Sequence, residues 1–101
     1  MSMKMNLIER GTEGELQLID CIDAGNAPEV DRILVELTGQ FDTLILDMDK
    51  LEYVSSAGLR AFRHAYMEMR QKHGVLEAKN VGKSVMEVLE ITGLTRLFKF
   101  I

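Results

Sequence analysis

Alternating apolar and polar positions at the start of the chain predict two paired strands. Met3 to Glu9 alternates methionine and leucine with lysine and asparagine, as a half-buried strand does. Arg10 to Gly14 contains two glycines, which favour a tight turn. Glu15 to Ile22 begins with the same alternation. The pattern predicts an N-terminal β-hairpin.

A helical spacing of apolar residues follows the hairpin. Pro28 suits the first turn of a helix, with Asn26 or Ala27 as the cap, and Gly39 is a plausible end. Charged residues occupy the other face of this segment. The apolar stripe predicts a first helix with four core positions, Val30, Ile33, Leu34 and Leu37.

Two more helices are predicted by the same criterion. Ser56 to Lys72 has an apolar stripe, and His73-Gly74 ends it. Ser84 and Glu87 have the spacing of a capping box that opens a third helix, and Gly93 is placed to end that helix. The stripe of the second helix is Leu59, Phe62, Tyr66 and Met69.

Two short apolar segments separate these helices, and a third follows the last helix. Thr43 to Met48 has three adjacent aliphatic residues, typical of a strand that is covered on both faces, while Val75 to Ala78 and Leu97 to Ile101 read as shorter strands. The order ββαβαβαβ predicts an α/β fold in one domain, residues 1–101. We expect a mixed, mostly parallel sheet with an N-terminal hairpin and three main helices.

Size, charge and cysteine content narrow the class of protein. A chain of 101 residues suits one domain, and its net charge of −4 argues against nucleic acid as the main partner. No apolar run is long enough for a membrane span. The N-terminal segment does not resemble a secretory signal, because it is short and Asn6 interrupts it. One cysteine and two histidines make a poor metal set. We expect a cytoplasmic domain without metal or cofactor.

The sequence carries little evidence of catalysis. A serine-hydrolase turn reads Gly-x-Ser-x-Gly, whereas this chain reads Tyr-Val-Ser-Ser-Ala-Gly over 53–58. Neither His64 nor His73 has an evident orienting partner in the sequence, and the glycine-rich phosphate-binding motifs are absent. A small hydrolase that uses Ser56 is therefore the weakest hypothesis, and we expect that the protein is not an enzyme.

The most informative segment is Leu46 to Leu59, in which a buried strand is predicted to end in an acidic loop before two serines open a helix. Ser55 or Ser56 is then an N-cap that accepts a hydrogen bond from the backbone. The same position favours a covalently attached phosphate, because unpaired N–H groups and the positive end of the helix dipole lie there. Gly58 in the first turn indicates a close approach of the backbone.

The chain resembles the STAS domain family, in particular the small stand-alone bacterial anti-sigma factor antagonists. The resemblance covers nearly the whole chain in the expected order. The matching segments are Ile22-Asp23, Asn26 to Val30, Leu44 to Asp47, Val54 to Leu59, Val88-Leu89 and Thr92 to Phe98.

This resemblance implies a regulatory switch. A serine at the start of the second helix is phosphorylated by a partner kinase that is also the anti-sigma factor, and a serine phosphatase is a further possible partner. The family motif places the acceptor at Ser56, with Ser55, which stands where many antagonists have aspartate, as the alternative. A second reading is a non-phosphorylated STAS scaffold in a phospholipid-transport or stress-signalling assembly.

The resemblance also suggests which side chains contact the partner. Asp23 matches an acidic residue near the acceptor, and Asp20 stands where the family often has glycine. Arg60, together with Arg63 and His64, forms a basic cluster beyond the serines that is either a solvated helix face or a contact for an acidic partner. The predicted partner contacts are Asp23, Asp47, Ser55, Ser56, Gly58 and Arg60.

Overall fold

The computed structural model describes residues 4–101. Met3, where the first strand was predicted to begin, lies outside the described residues. A short 3₁₀ turn, Leu94–Leu97, precedes the last strand. The strands and helices in chain order are β1 (Lys4–Arg10), β2 (Glu13–Ile22), α1 (Ala27–Gln40), β3 (Thr43–Val54), α2 (Ser56–Gln71), β4 (Val75–Lys79), α3 (Lys83–Ile91) and β5 (Lys99–Phe100).

The five strands form one sheet in chain order, β1-β2-β3-β4-β5. β1 is antiparallel to β2, and each later pair is parallel. Each crossover steps in the same direction along the sheet, so right-handed connections place α1, α2 and α3 on one face. The predicted α/β fold, its mixed sheet and its N-terminal hairpin are confirmed.

The core lies between this face of the sheet and the helices. Of the predicted α1 stripe, Val30, Leu34 and Leu37 are buried and Ile33 is partly buried against the core. In α2, Phe62 is fully buried and its ring meets that of Phe98 edge-on, with ring centroids 5.7 Å apart. The helical spacing therefore identified the packed faces correctly.

The strand β3 is longer than predicted. It continues to Val54, and its second half pairs with the end of β2, from Ile19 to Ile22, so the predicted acidic loop is wrong. The pairing shifts register at two places, at each of which β3 has one residue more than the facing part of β2, and Asp20 at the second has φ +70°. These bulges break the regular alternation by which a strand is recognised in a sequence.

Two predicted helix boundaries are also wrong. Gly39 does not end α1, which continues to Gln40, because its φ is not positive and it therefore lacks the left-handed conformation of a helix-ending glycine. The capping box at Ser84 and Glu87 does not form, since Gly82 is the N-cap of α3 and provides no side-chain bond. β5 is shorter than predicted, because the chain up to Leu97 belongs to the 3₁₀ turn.

The face of the sheet opposite the helices carries a network of charges. The Glu15 carboxylate accepts a hydrogen bond from Arg10 at 2.7 Å and lies 2.9 Å from Lys79 Nζ. These two cations hold the pKa of Glu15 below its ordinary value. Ile45 is buried between cross-strand neighbours Glu15 and Glu77. The second face of β3 is thus covered by long ion-paired side chains and not by a packed layer.

Candidate functional site

The turn that joins β3 to α2 is anchored to the neighbouring strand. Val54 is the register partner of Ile22, and the Ser55 N–H donates to the Ile22 carbonyl at 2.8 Å. The turn therefore begins at the end of a paired strand, and its backbone is fixed before the helix starts. Because Asp23 follows Ile22 directly, the first residue of the β2–α1 loop lies beside this turn.

Ser55 is the N-cap of α2. Its backbone is extended, with φ −78° and ψ 169°, and its Oγ accepts a hydrogen bond from Gly58 N at 3.1 Å. The Ser55 carbonyl accepts the first helical bond, from Leu59 N at 2.9 Å. With 9% exposure, this hydroxyl is occupied by the helix and shielded from solvent.

Ser56 is the first residue of the helix and is exposed. It makes no side-chain hydrogen bond within residues 4–101, because the cap position is already taken by Ser55. The alternatives that the sequence left open are therefore separated by position: one serine caps the helix and the other presents a hydroxyl at its surface.

Gly58 allows α2 to start close to the sheet. A Cβ at this position would lie 2.7 Å from Ile22 Cγ2 and 2.7 Å from Val54 Cγ2, closer than carbon atoms pack. The predicted close backbone approach is confirmed. Gly58 is itself buried, so it positions the two serines from beneath and offers no surface of its own.

The β2–α1 loop is held by a reciprocal pair of hydrogen bonds. Asp23 N donates to Asn26 Oδ1 at 2.9 Å, and Asn26 N donates to Asp23 Oδ1 at 2.9 Å. Asn26 also donates through Nδ2 to the Cys21 carbonyl at 2.9 Å. Asn26 is the N-cap of α1 as predicted, but its side chain organises the preceding loop instead of capping the helix. The exposed Asp23 is thereby fixed near the serines.

A shallow groove between α1 and α2 begins beside the serines. Arg60, exposed on α2, lines the groove one turn after Ser56. His64 lines it one turn further and pairs with Asp31 of α1, with 2.9 Å between Nδ1 and Oδ1. This contact has no signal in the sequence, because it depends on how the two helices pack. The remaining lining residues are Ala24, Ala27, Pro28, Ala57 and Ala61.

Asp47 is not brought to this surface. It is buried at 8% exposure, and its Oδ1 accepts hydrogen bonds from Asp49 N and Asn80 Nδ2, both at 3.1 Å. In β2 the register partners of Asp47 and Val54 are Gln17 and Ile22, five residues apart, so Asp47 lies about 17 Å along the sheet from the end of β3 at 3.3 Å per residue. Asp47 therefore bonds within β3 and to Asn80 after the end of β4, at a distance from the serines.

Neither a metal site nor a membrane helix is found in the part of the chain that the structure describes. Residues 4–101 contain no cluster of three or more histidine, cysteine, aspartate or glutamate side chains suited to a metal ion. None of the described helices is both long and apolar enough to cross a bilayer. Within the same residues Ser56 has no hydrogen bond to a histidine, as a nucleophilic serine requires.

Two solved structures of one protein share this fold. The anti-sigma factor antagonist SpoIIAA in its unphosphorylated form superposes with a TM-score of 0.84, at 15% identity, over 97% of this chain and 88% of that one. The Bacillus cell fate determinant SpoIIAA in its phosphorylated form gives a TM-score of 0.74, at 15% identity, over 98% and 90%. At 15% identity, these superpositions show that the fold is shared and nothing more.

Similarity in sequence extends to proteins named for a regulatory role. A candidate anti-sigma factor antagonist of Bordetella bronchiseptica, BtrV, is 34% identical over 86 residues, which cover 80% of this chain and 74% of BtrV. The anti-sigma-B factor antagonist of Listeria monocytogenes is 28% identical over 101 residues, 98% of this chain and 89% of the relative. The family model for the STAS domain matches residues 5–101. The chain therefore belongs to the STAS domain family.

Proposed function

We propose that this protein is an anti-sigma factor antagonist, which binds an anti-sigma factor and is switched off by phosphorylation of Ser56. The names of the two sequence relatives support the antagonist role. The choice of Ser56 over Ser55 rests on the different positions of the two serines at the start of α2. Ser55 Oγ is bonded to Gly58 N, whereas the Ser56 hydroxyl is exposed.

The modification requires a partner kinase, because this chain offers only the acceptor. The kinase transfers the γ-phosphoryl group of ATP to Ser56 Oγ. A new O–P bond forms, the bond between the β and γ phosphates breaks, ADP leaves, and a base of the kinase takes the hydroxyl proton. A serine phosphatase then restores the hydroxyl by hydrolysis. The protein acts by binding and performs no catalysis of its own.

The proposed contact surface surrounds the start of α2. It comprises Asp23, the Ser55–Ser56 turn and Arg60, with Gly58 as support beneath the turn. Phosphorylation adds about −1.5 to −2 charge at pH 7 to a chain with a net charge of −4. An interface that accepts a neutral hydroxyl would have to bury that charge unpaired, which costs several kcal/mol of binding free energy.

The acceptor is identified by intact mass after incubation with ATP and each anti-sigma factor kinase of the source organism. We expect the added mass of one phosphate on the wild type and on Ser55→Ala, and none on Ser56→Ala. Ser84→Ala is the matched control, since Ser84 is also exposed in the first turn of a helix. Phosphate that persists on Ser56→Ala and is lost on Ser55→Ala would contradict the assignment.

The switch is measured by calorimetric affinity for the anti-sigma factor. Ser56→Asp should weaken binding at least tenfold, or about 1.4 kcal/mol, because even a partial mimic places a charge in the contact. Ser56→Ala should bind like the wild type, and Ser84→Asp should leave the affinity unchanged. Equal affinities for the wild type and Ser56→Asp would refute a charge switch at this serine, and absence of binding by any form would favour the scaffold reading.

A further inference from the structure

Arg60 has no ion pair among the described residues, whereas some other charged side chains of α1 and α2 are paired. Among residues 4–101 it forms no hydrogen bond or ion pair. Its neighbour along the groove, His64, is held by Asp31 at 2.9 Å, and Arg32 on α1 is held by Glu36 at 3.0 Å. The Arg60 side chain is exposed, so its guanidinium is available to an anion that approaches the start of α2.

Helix geometry directs Arg60 toward Ser56. Residues four apart lie on the same face with about 5–6 Å between their Cβ atoms, and helical side chains lean toward the N-terminus. An anion followed four residues later by a cation is the favourable order for such a pair. The residue at the other close spacing, Leu59, is buried and apolar. Arg63 lies about 10 Å further along the axis from Ser56 and is out of direct reach.

The start of α2 has no negative charge of its own. Its first turn contains no acidic residue, and its N-cap is the neutral Ser55. The first turn of α1, in contrast, contains Glu29. Outside the helix, Asp23 and Glu52 are exposed acids, and Asp23 Oδ1 already accepts a bond from Asn26 N. A phosphate at Ser56 would thus meet the positive end of the helix dipole and one unpaired cation.

We infer that Arg60 binds the phosphate of phosphorylated Ser56 and holds it over the first turn of α2. This inference rests on the proposed function only for the origin of the phosphate. The planar guanidinium group of Arg60 can donate two parallel hydrogen bonds to phosphate oxygens. Arg60 is therefore a positioning residue in this role. Phosphorylation then changes the contact surface in two ways: it adds an anion, and it withdraws the guanidinium from the partner.

The test places phosphoserine at position 56 by genetic encoding and follows the phosphate by ³¹P NMR across a pH titration. A bound guanidinium favours the dianion, so the second pKa of the phosphate should rise by about 0.2–0.4 pKa unit in Arg60→Gln. Arg63→Gln removes the same charge from the same helix and should raise it by no more than about a third of that amount. Arg60→Lys should fall between, since lysine keeps the charge without the fork.

Equal shifts in the Arg60 and Arg63 variants, or no shift in either, would overturn the inference. Both substitutions are at exposed positions, and circular dichroism melting verifies that each variant is folded. The titration uses neither kinase nor anti-sigma factor. A failure of the kinase assays would therefore leave its result intact, and an unshifted phosphate pKa would leave the assignment of Ser56 as acceptor intact.

Discussion

Replacement of Gly58 by alanine tests whether the start of α2 is set by close packing against the sheet. The added methyl carbon would lie 2.7 Å from a methyl of Ile22 and 2.7 Å from a methyl of Val54. Both neighbours belong to the buried core, with 0% and 4% exposure, and both are branched at Cβ, so neither can turn aside freely. The first turn of the helix must therefore move away from β2 and β3.

Two opposing effects determine the size of the change. Alanine favours the helix over glycine by about 1 kcal/mol. Forcing a methyl group into a packed core costs about 1–3 kcal/mol, and at this separation we expect the upper part of that range. The steric cost exceeds the helical gain, so Gly58→Ala should lower the free energy of unfolding by about 1–2 kcal/mol. For a domain of this size each kcal/mol lowers the melting temperature by about 4–8 °C.

Urea denaturation of the wild type, Gly58→Ala and Gly39→Ala measures this difference. Gly39 is a matched control, because it also lies within a helix but has no atom within 4 Å of an added Cβ. Gly39→Ala should be neutral or stabilising by up to about 1 kcal/mol. If Gly58→Ala proved as stable as the wild type, the argument that this glycine is required by its neighbours would be wrong.

We expect the replacement of two further charged side chains, Glu15 and Lys72, to lower the free energy of unfolding. Arg10 and Lys79 lower the pKa of Glu15 below 4.5, so its stabilising effect is present above that pH and is lost as the pH falls through the folded-state pKa. Glu15→Gln should therefore lower the free energy of unfolding by about 1–2 kcal/mol at pH 7 and by less at pH 3, in urea titrations at both values; equal losses would contradict this. Lys72 donates to two carbonyls at the end of α1, at 2.8 and 3.1 Å. Lys72→Met should cost about 1 kcal/mol, whereas the exposed Lys83→Met should cost almost nothing, and similar losses would exclude a capping role.

The sequence was sufficient for the elements whose signal is local. The α1 stripe identified Val30, Leu34 and Leu37 as core because helical spacing repeats within a few residues. The second half of β3 was missed because its pairing depends on β2, which is distant in the chain, and because the bulges break its alternation. Strand formation there is set by the partner and not by local propensity.

The same distinction explains what could be predicted of the candidate site. The sequence placed two serines at a helix start but could not decide which one caps the helix, because that depends on the residue at which β3 ends. It grouped Asp47 with the serines because a loop was expected, whereas an extended strand carries Asp47 away. The contact between His64 and Asp31 joins two helices and has no signal in either one.

The anchoring of the β3–α2 turn has a consequence for how an enzyme must recognise it. Ser55 N is bonded to the Ile22 carbonyl, and its side chain is bonded to Gly58 N, so the exposed Ser56 lies between two fixed points. Most substrates of protein kinases are flexible segments that adapt to an active-site cleft. An enzyme that modifies Ser56 has to accommodate an intact globular surface instead, with contributions from the β2–α1 loop as well as from α2. Its selectivity would then reside in the shape of the folded domain, and a short peptide with the same residues would lack most of what it recognises.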